Sequence, residues 1–210
     1  AELEMDLLPV VCKMELSGII LDVEYHNNLT RSAERQLKPL EEKIKNLILN
    51  AIDKSKYKNA FDFAKALAIP VKTKKLQLIL ESINDPLAIM VWANEKFNLN
   101  SHKQLLVSLN LVGIDVEDTN EKTLNKLPKS EIIDTILEYR DYEKKISTYG
   151  DNVVRAVNPV TGRIHADFNQ VGTNTGRFSS SGGVNMQNIP THNGYRESFV
   201  AKPGYSFLAM

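Results

Sequence analysis

Cysteine is almost absent from this sequence of 210 residues. Cys12 is its one thiol, so no internal disulfide can form, and this composition fits a reducing compartment. Because Cys12 lies in an apolar run, the sequence predicts a buried side chain there rather than a nucleophile. Apolar runs long enough to span a bilayer and a signal-peptide pattern are missing too. The sequence therefore predicts neither a disulfide framework nor a membrane-spanning segment.

An excess of charge of one sign is also missing. The 26 Lys and Arg residues balance 26 Asp and Glu residues, for a formal net charge of +0. A nucleic-acid-binding protein usually has a basic balance, so either that role is absent or the basic groups lie on one face. The sequence has no P-loop or Rossmann glycine pattern. Its histidines show no metal-ligand spacing; they are His26, His102, His165 and His192.

What the sequence does contain is mostly helical pattern. Residues 3–16 carry apolar side chains at helical spacing, and Gly18 predicts the end of that helix. The string GIILD predicts a short strand, with Asp22 as the N-cap of the next helix. Apolar residues in 25–52 alternate steps of four and three, which predicts the longest helix of the chain. Pro39 lies inside it and predicts a kink or a break.

Residues 53–75, the lysine-rich segment, hold seven lysines and two aspartates, a local charge of +5. Apolar residues within and after the segment, from Phe61 to Ile83, predict a small helical core. Two interpretations of the lysines stay open. Most lysine runs are solvated surface, and the alternative is a surface that follows the phosphates of a nucleic acid.

Ser101 with Gln104 three positions later is a capping-box pattern and predicts the start of a helix. Leu105 and Leu109 follow on its buried face, so a well-capped helix explains these residues without any function. The same geometry would also suit an anion, because the first N–H groups of a helix are free and lie at the positive end of its dipole. Both interpretations stay open.

A further helix is predicted over residues 132–149. Arg140 and Lys144 lie four positions apart and therefore share one face. They either pair with the neighbouring Asp141 or Glu143, which is the commoner outcome for surface charges, or meet a polyanion.

Residues 153–170 change to β character. Turn signals at 158–159 and 161–162 separate VVRAV from RIHADF, and this predicts a hairpin-like pair. Further on, ESFVA and YSFLAM are two more predicted strands, joined by a turn over residues 202–205.

Between these β regions lies the most unusual stretch, residues 173–190, TNTGRFSSSGGVNMQNIP. Arg177 offers a planar fork of five donors. Three serines follow, and the amides of Asn185, Gln187 and Asn188 can each donate and accept. Such groups suit phosphates together with base edges in a groove. Composition alone leaves a polar turn equally favoured, since Gly, Ser and Asn prefer turns for local reasons.

Several strings, in the same order, resemble DNA polymerases of family A, the bacterial DNA polymerase I type. PVVCKMELSGIILD resembles the start of the polymerase region, and FNLNSHKQL resembles a segment near the tip of the thumb. YRDYEKKISTY resembles the thumb helix that lies over the primer–template. TGRFSSS followed by NMQNIP, and then RESFVAKPG, resemble the segments that lead into the palm sheet.

The resemblance implies an α+β, mostly helical fold in which long antiparallel thumb helices precede short antiparallel β strands of a partial palm. Residues 1–24 would lead into the polymerase region after a 3′–5′ exonuclease domain, 25–149 would form the thumb, and 150–210 would begin the palm. Residues 54–92 look like a lysine-rich insertion in the thumb. Since the chain starts without Met and stops inside the apolar string FLAM, we expect a piece of a longer protein that also has fingers and the remaining palm.

The partner implied by the resemblance is primer–template DNA, in a cytoplasmic or phage-encoded enzyme that extends a primer 3′ end. Arg177 would reach the minor-groove acceptors that all correct base pairs share. Asn185, Gln187 and Asn188 would contact the same groove or nearby sugars. The other DNA-binding residues implied are Asn100, Ser101, His102, Lys103, Arg140, Lys144, Ser147, Thr148, Tyr149, Thr175 and Arg196.

The chemistry of the family uses dNTPs and two Mg²⁺ ions held by palm carboxylates. The first of those carboxylates belongs to a D-Y/F-S motif that this sequence does not contain. No catalytic or metal-binding residue is therefore assigned, and the 210-residue chain alone is expected to be inactive. The sequence has one residue more than usual between the serines and Asn185 and a shorter link after NIP, so no contact is assigned to Thr191 or His192.

Two other functions remain to be distinguished. A non-catalytic DNA-binding subunit of a split polymerase would share every one of these motifs. A helical interaction protein without a nucleic-acid role would bind no DNA even at low salt, and it leaves the TGR-to-QNIP string unexplained.

Overall fold

The structure is a computed structural model, and it describes residues 2–190 and 194–207. The helices are α1 (Glu2–Ser17), α2 (Val23–Ala51), α3 (Ala60–Ala66), α4 (Lys74–Glu81), α5 (Pro86–Lys96), α6 (His102–Leu111), α7 (Glu121–Leu124), α8 (Glu131–Tyr149) and α9 (Asp151–Arg155). The strands are β1 (Ile19–Leu21), β2 (Arg163–Ile164), β3 (Asp167–Asn169), β4 (Ser179–Ser181) and β5 (Phe199–Val200), and 3₁₀ turns cover Lys54–Lys56 and Met186–Asn188. The predicted α+β, mostly helical class with short antiparallel strands is confirmed.

The chain forms two compact units, one of residues 1–36 with 142–210 and the other of residues 37–141. The division between the two units falls inside α2 and inside α8. The boundaries of the thumb at 25–149, which come from the sequence, stay a prediction. Along the described part of the chain, no helix is both long enough and apolar enough to cross a membrane.

The first unit contains a three-stranded antiparallel sheet in the order β2-β1-β5. Ile19 pairs with Ile164 and Ile20 with Val200, so β1 lies in the middle. As predicted, Gly18 ends α1, with a φ of 57° that suits glycine. The predicted N-cap is also confirmed, because the backbone N–H of Tyr25 donates to Asp22 Oδ1 over 2.9 Å.

The expected hairpin between VVRAV and RIHADF is wrong. Residues 151–155 form α9, and among the described residues only the turn end of the hairpin forms: Val157 and Ile164 make an isolated antiparallel bridge, and the N–H of Asn158 donates to the Arg163 carbonyl over 2.9 Å. Val153 has a β-branched side chain that favours strands, but it is 1% exposed in the core of this unit. Tertiary packing therefore outweighs its local preference.

Two smaller expectations also differ from the structure. Cys12 is exposed, because its neighbour Val11 occupies the buried side of α1 and consecutive helical residues point in different directions. Strand structure is absent from Tyr205–Phe207, although the predicted turn before it forms, with Tyr205 N–H donating to the Lys202 carbonyl over 2.9 Å. The last residues of the predicted YSFLAM strand, 208–210, lie outside the described residues.

The second unit has its own core, built from the end of α2 and the helices up to α8. Its largest fully buried side chains are Ile44, Ile48, Leu49, Phe63, Leu67, Leu80, Ile89, Phe97, Leu105, Leu109, Leu124 and Ile136. Of the kink or break expected at Pro39, the break does not occur, since α2 runs through Pro39 without interruption, and the kink stays a prediction. Pro39 lies on the exposed side, while its neighbours Leu37 and Leu40 pack against the core and hold the helix together.

Candidate nucleic-acid interface

A two-stranded hairpin carries the segment in which the sequence concentrates its polar groups. β3 and β4 are antiparallel, and Ser179, Ser180 and Ser181 pair with Asn169, Phe168 and Asp167. The serine run is therefore a strand. Ser180 Oγ accepts from the N–H of Met186 over 3.3 Å, and Ser181 Oγ accepts from Asn169 over 3.3 Å. The first of these bonds joins β4 to the 3₁₀ turn, and the second joins the two strands of the hairpin.

Gly172 brings the chain close to the second strand of this hairpin. A Cβ at Gly172 would lie 1.9 Å from Ser179 Oγ, far inside van der Waals contact. A side chain at this position would require the Ser179 hydroxyl to rotate away and the loop to separate slightly from Ser179 Cβ, which would lie 3.1 Å from the added atom. The path of the loop between β3 and β4 therefore depends on this glycine.

The backbone of Arg177 is fixed, while its guanidinium is free. Thr173 Oγ1 accepts from the N–H of Arg177 over 3.0 Å and donates to its carbonyl over 2.8 Å. Thr175, which is exposed, shares a 3.3 Å contact with the same Thr173 hydroxyl. The Arg177 side chain is exposed, and it forms no hydrogen bond or ion pair with any residue that the structure describes. All five of its donors can meet a ligand.

The amides that follow lie in and beside a 3₁₀ turn. Asn185 caps this turn, because its Oδ1 accepts from the N–H of Gln187 over 3.1 Å. The side chains of Gln187 and Asn188 are exposed and make no hydrogen bond within the described chain. Val184 is 5% exposed and anchors the segment in the core of the first unit. We call residues 173–188 the interface segment.

Two of the predicted DNA-binding residues support the backbone around this segment. Tyr149 is buried, and its hydroxyl donates to the carbonyl of Asn188. Arg196 is exposed, and its Nε donates to the carbonyl of Ile189 over 3.2 Å. The geometry gives both residues a supporting role, and the buried ring of Tyr149 offers little surface to a ligand.

In the first unit, the last turns of α8 expose one ammonium group and two hydroxyl groups to solvent. Lys144, Ser147 and Thr148 are exposed. Ser147 Oγ donates to the Lys144 carbonyl over 3.3 Å, and Asn152 donates to the Ser147 carbonyl over 2.9 Å. The ammonium of Lys144 has no ion pair within the described residues.

In the second unit, the start of α6 gathers a second polar group. Ser101 is the N-cap and accepts from Gln104 N–H at 3.5 Å, a long contact. The predicted reciprocal capping box does not form, because Gln104 Oε1 instead accepts from the N–H of Asn98 over 2.8 Å. His102 and Lys103 follow the cap and are exposed.

Thr119 connects two of the predicted residues. Its Oγ1 lies 2.7 Å from His102 Nδ1 and accepts from Arg140 over 3.0 Å, and Arg140 also donates to its carbonyl. Asn100 is held similarly, since its Oδ1 accepts from the Tyr139 hydroxyl over 3.3 Å. Arg140 is therefore oriented by Thr119, 21 residues away in sequence.

A carboxylate close to this cluster is held in its charged form. Hydrogen bonds from Thr123 and from the backbone N–H of Asn120, helped by the charge of His102, lower the pKa of Asp118 below its usual value of 3.8. The N–H of Asn120 donates to Asp118 Oδ1 over 2.7 Å. The partly exposed, hydrogen-bonded carboxylate of Asp118 thus fixes the loop that presents Thr119.

A comparison with protein families shows which family the chain belongs to. The family model described as DNA polymerase family A matches residues 68–210. The chain belongs to DNA polymerase family A. That match includes the interface segment and both polar groups described above, and the expected membership of the family is confirmed.

Curated relatives of this family A chain are bacterial DNA polymerases I. The thermostable DNA polymerase I of Thermus thermophilus is 30% identical over 224 residues, which cover 100% of this chain and 21% of the relative. The DNA polymerase I of Chloroflexus aurantiacus is 33% identical over 98% of this chain and 19% of its own length. The DNA polymerase I of Synechocystis is 46% identical over 109 residues, 47% of this chain. The chain thus spans about a fifth of the length of the first two relatives.

A solved structure shows the same fold. The POL domain of Pol1 from M. smegmatis, in complex with DNA primer-template and dNTP, superposes with a TM-score of 0.64. The match covers 97% of this chain and 30% of that chain at 22% identity. At 22% identity, this similarity shows that the two chains share a fold and nothing more.

The Mg²⁺ ions expected from the resemblance have no ligand set in the described part of this family A chain. Nowhere in residues 2–190 and 194–207 do three or more His, Cys, Asp or Glu side chains come together as a metal site would need. The residues present do not fit the metal, and no metal-dependent step is derived from them. His192 lies outside the described residues.

The structure shows further residues that support the predicted site and that no sequence motif indicated. Thr119 and Thr173 are such residues, since each fixes an arginine through a contact that spacing alone does not reveal. Tyr139, whose hydroxyl bonds Asn100, is weakly indicated by the sequence, because a buried tyrosine hydroxyl usually has a hydrogen-bond partner. The roles of all the predicted site residues as DNA contacts stay predictions.

Proposed function

We propose that this chain is the primer–template-binding part of a DNA-directed DNA polymerase. The observation that carries the proposal is Arg177. Its side chain is exposed and forms no hydrogen bond or ion pair with the described residues, while Thr173 holds its backbone in place. Family membership supports the proposal, as does the primer–template in the structure of the M. smegmatis relative.

The chemistry of Arg177 suits a ligand recognised without regard to sequence. Purine N3 and pyrimidine O2 are acceptors in the minor groove, and they occur in all correct base pairs. A free guanidinium that donates to them senses pairing and not base identity, which is what a replicative enzyme requires. Gln187 and Asn188 are exposed in the same interface segment and can donate to the same groove or to sugars.

Phosphates are the ligands proposed for the remaining polar groups. Lys144, Ser147 and Thr148 in the first unit, and Ser101, His102 and Lys103 in the second, are at least partly exposed. They include ammonium and hydroxyl donors, the groups that position a protein on a nucleic-acid backbone. Arg140, Asn100 and Tyr149 act through the contacts that orient them.

The whole protein would carry the chemistry of the family. We infer nucleotidyl transfer from dNTPs to a primer 3′ end, with Mg²⁺ held by palm carboxylates that the described residues do not supply. Fingers, the remaining palm and a 3′–5′ exonuclease domain would be its other parts, in keeping with relatives about five times as long. The enzyme would work in the cytoplasm, where its DNA substrate lies.

The test is a pair of charge-matched variants measured on two DNA substrates. Arg177→Ala removes the free guanidinium, and Arg35→Ala removes an exposed arginine of α2 outside the interface segment. The chain should bind a primer–template weakly, and less as salt rises. Arg177→Ala should weaken binding to a primer–template junction about tenfold, the size of one good base contact, and binding to random duplex less.

The control and the substrate comparison decide the outcome. Arg35→Ala should change affinity for both substrates by the same small factor. Equal losses from Arg177→Ala on junction and random duplex would contradict the minor-groove role. Absence of any binding at low salt would contradict the proposed function itself.

A further inference from the structure

His26 is a buried polar residue that the interface does not explain by itself. It lies near the start of α2 and is 1% exposed. Its Nε2 is 2.6 Å from the carbonyl oxygen of Tyr149, and its Nδ1 is 3.1 Å from Ser198 Oγ. The ring also meets that of Tyr195 edge to face, with centroids 5.6 Å apart. A histidine used only to fill space would not need both nitrogens directed at oxygen atoms.

The contact with Tyr149 fixes the direction of the proton. A carbonyl oxygen only accepts, so Nε2 carries the hydrogen and donates it. The Ser198 hydroxyl lies between Nδ1 and the carbonyl of Tyr195, from which it is 2.6 Å away. The Tyr149 carbonyl is at the C-terminus of α8, where carbonyls have no partner within the helix. His26 therefore supplies a donor that the end of α8 needs.

Tyr149 passes this constraint on to the interface segment. Its backbone is held by His26, and its ring lies 5.8 Å from that of Tyr195. Its hydroxyl donates to the carbonyl of Asn188, next to the exposed side chains of Gln187 and Asn188. A continuous chain of contacts thus connects a buried histidine to the proposed DNA-binding surface, and all of it lies in the first unit.

We propose that His26 is a positioning residue that holds the Gln187–Asn188 segment in its binding geometry through Tyr149. The DNA-binding part of this inference rests on the proposed function. A leucine at this position would fill much of the same space but would leave the Tyr149 carbonyl without its donor. Tyr149 could then shift, and the carbonyl of Asn188 would lose its fixed partner.

The first measurement needs no DNA. Backbone hydrogen exchange in the 210-residue chain reports the amides of Gln187 and Asn188, which donate to Asn185 Oδ1 and to the Asn185 carbonyl. His26→Leu should speed their exchange about threefold or more through local opening. His26→Gln, which keeps an amide donor, should restore most of the protection.

Two controls separate positioning from general stability. Thr30→Val removes a buried hydroxyl that donates to the His26 carbonyl over 3.2 Å, and it leaves the contact with Tyr149 in place. It should lower overall stability without a selective change at Gln187 and Asn188. The amide of Val116, bonded to Asn110 in the second unit, should stay protected in every variant. Unchanged exchange at Gln187 and Asn188 in His26→Leu would overturn the proposal.

The second measurement is a double-mutant cycle on the Kd for primer–template DNA. Tyr149→Phe removes the hydroxyl that reaches Asn188 and leaves the Tyr149 carbonyl intact. If His26 acts through Tyr149, each single variant should raise the Kd about fivefold and the double variant no further. If the Kd increases of the two single variants multiply in the double variant, the two residues act independently, and the proposed connection from His26 through Tyr149 is overturned. If the unmodified chain binds no primer–template, the proposed function fails, and the exchange result still decides the role of His26.

Discussion

The lysine-rich segment and the interface segment differ in what holds their polar groups. The first has a local charge of +5, and the second has one arginine and no acidic residue. In the lysine-rich segment, Lys54 donates to the Leu49 and Ile52 carbonyls at the end of α2, and Lys65 lies over the Phe61 ring. The other five lysines are exposed and have no ion pair among the described residues; they are Lys56, Lys58, Lys72, Lys74 and Lys75.

The interface segment has little charge but a fixed backbone. Thr173, Ser180 and Asn185 each bond the backbone of the segment through their side chains. The free groups, above all Arg177, therefore start from a defined place and lose less conformational entropy when they bind. The two segments show that the number of charges in a sequence does not indicate where donors are pre-organised.

Gly172→Ala should have the largest effect on the interface segment. The new Cβ would lie 1.9 Å from Ser179 Oγ and 3.1 Å from Ser179 Cβ, so the hydroxyl must rotate away and the loop must shift by a few tenths of an ångström. Crowding of this kind costs about 1–3 kcal/mol of unfolding free energy, and affinity for primer–template should fall with it. Urea unfolding and a Kd titration measure both quantities.

Gly113→Ala is the matched control for that variant. Gly113 has a φ of 84° and nothing within 4 Å of an added Cβ, so the change costs only backbone strain in the second unit. It should destabilise the chain with no loss of affinity for the folded fraction. If Gly172→Ala behaves in the same way, the arrangement of the β3–β4 loop does not matter for binding.

Thr119→Val should come next. The substitution keeps the shape of Thr119 but removes the hydroxyl that contacts His102 and Arg140. Because Thr119 is 1% exposed, we expect a loss of about 1–2 kcal/mol in unfolding free energy. Thr135→Val is the control, since the Thr135 hydroxyl only bonds the Glu131 carbonyl of its own helix and should matter less. Equal losses would mean that Thr119 does not connect the cluster.

The sequence predicted the helices well and the supporting contacts poorly. Helical periodicity is local, so α1, α2, α6 and α8 appear close to their predicted bounds. VVRAV shows where local preference fails: its residues favour a strand, but the first three lie in α9, where Val153 is buried in the core of the first unit. The residues that fix Arg177 and Arg140 are threonines without any pattern of their own, and only the folded chain brings them into contact.

A smaller effect should appear as the pH falls. The pKa of Asp118 is lowered in the folded chain, mainly by the hydrogen bond from Thr123. The carboxylate therefore contributes stability above its unfolded pKa, and this contribution is lost as pH falls through the lower folded pKa. Asp118→Asn should lower the urea midpoint near neutral pH, and its difference from the unmodified chain should shrink below about pH 4. A difference independent of pH would show that the charge of Asp118 is unimportant.

Joint replacement of Lys72, Lys74 and Lys75 by Gln should have the smallest effect on DNA binding. These lysines are exposed, and no side chain of the described residues fixes them by an ion pair. If they are solvated surface, the dependence of log Kd on log salt should keep its slope, and Arg177→Ala alone should weaken binding more than all three changes together. If they follow phosphates, the slope should fall by about 0.9 for each lysine, close to 3 in total. A fall of that size would mean that the lysines contribute to DNA affinity even without a fixed geometry. Pre-organisation of the donors would then not be the difference between the lysine-rich segment and the interface segment.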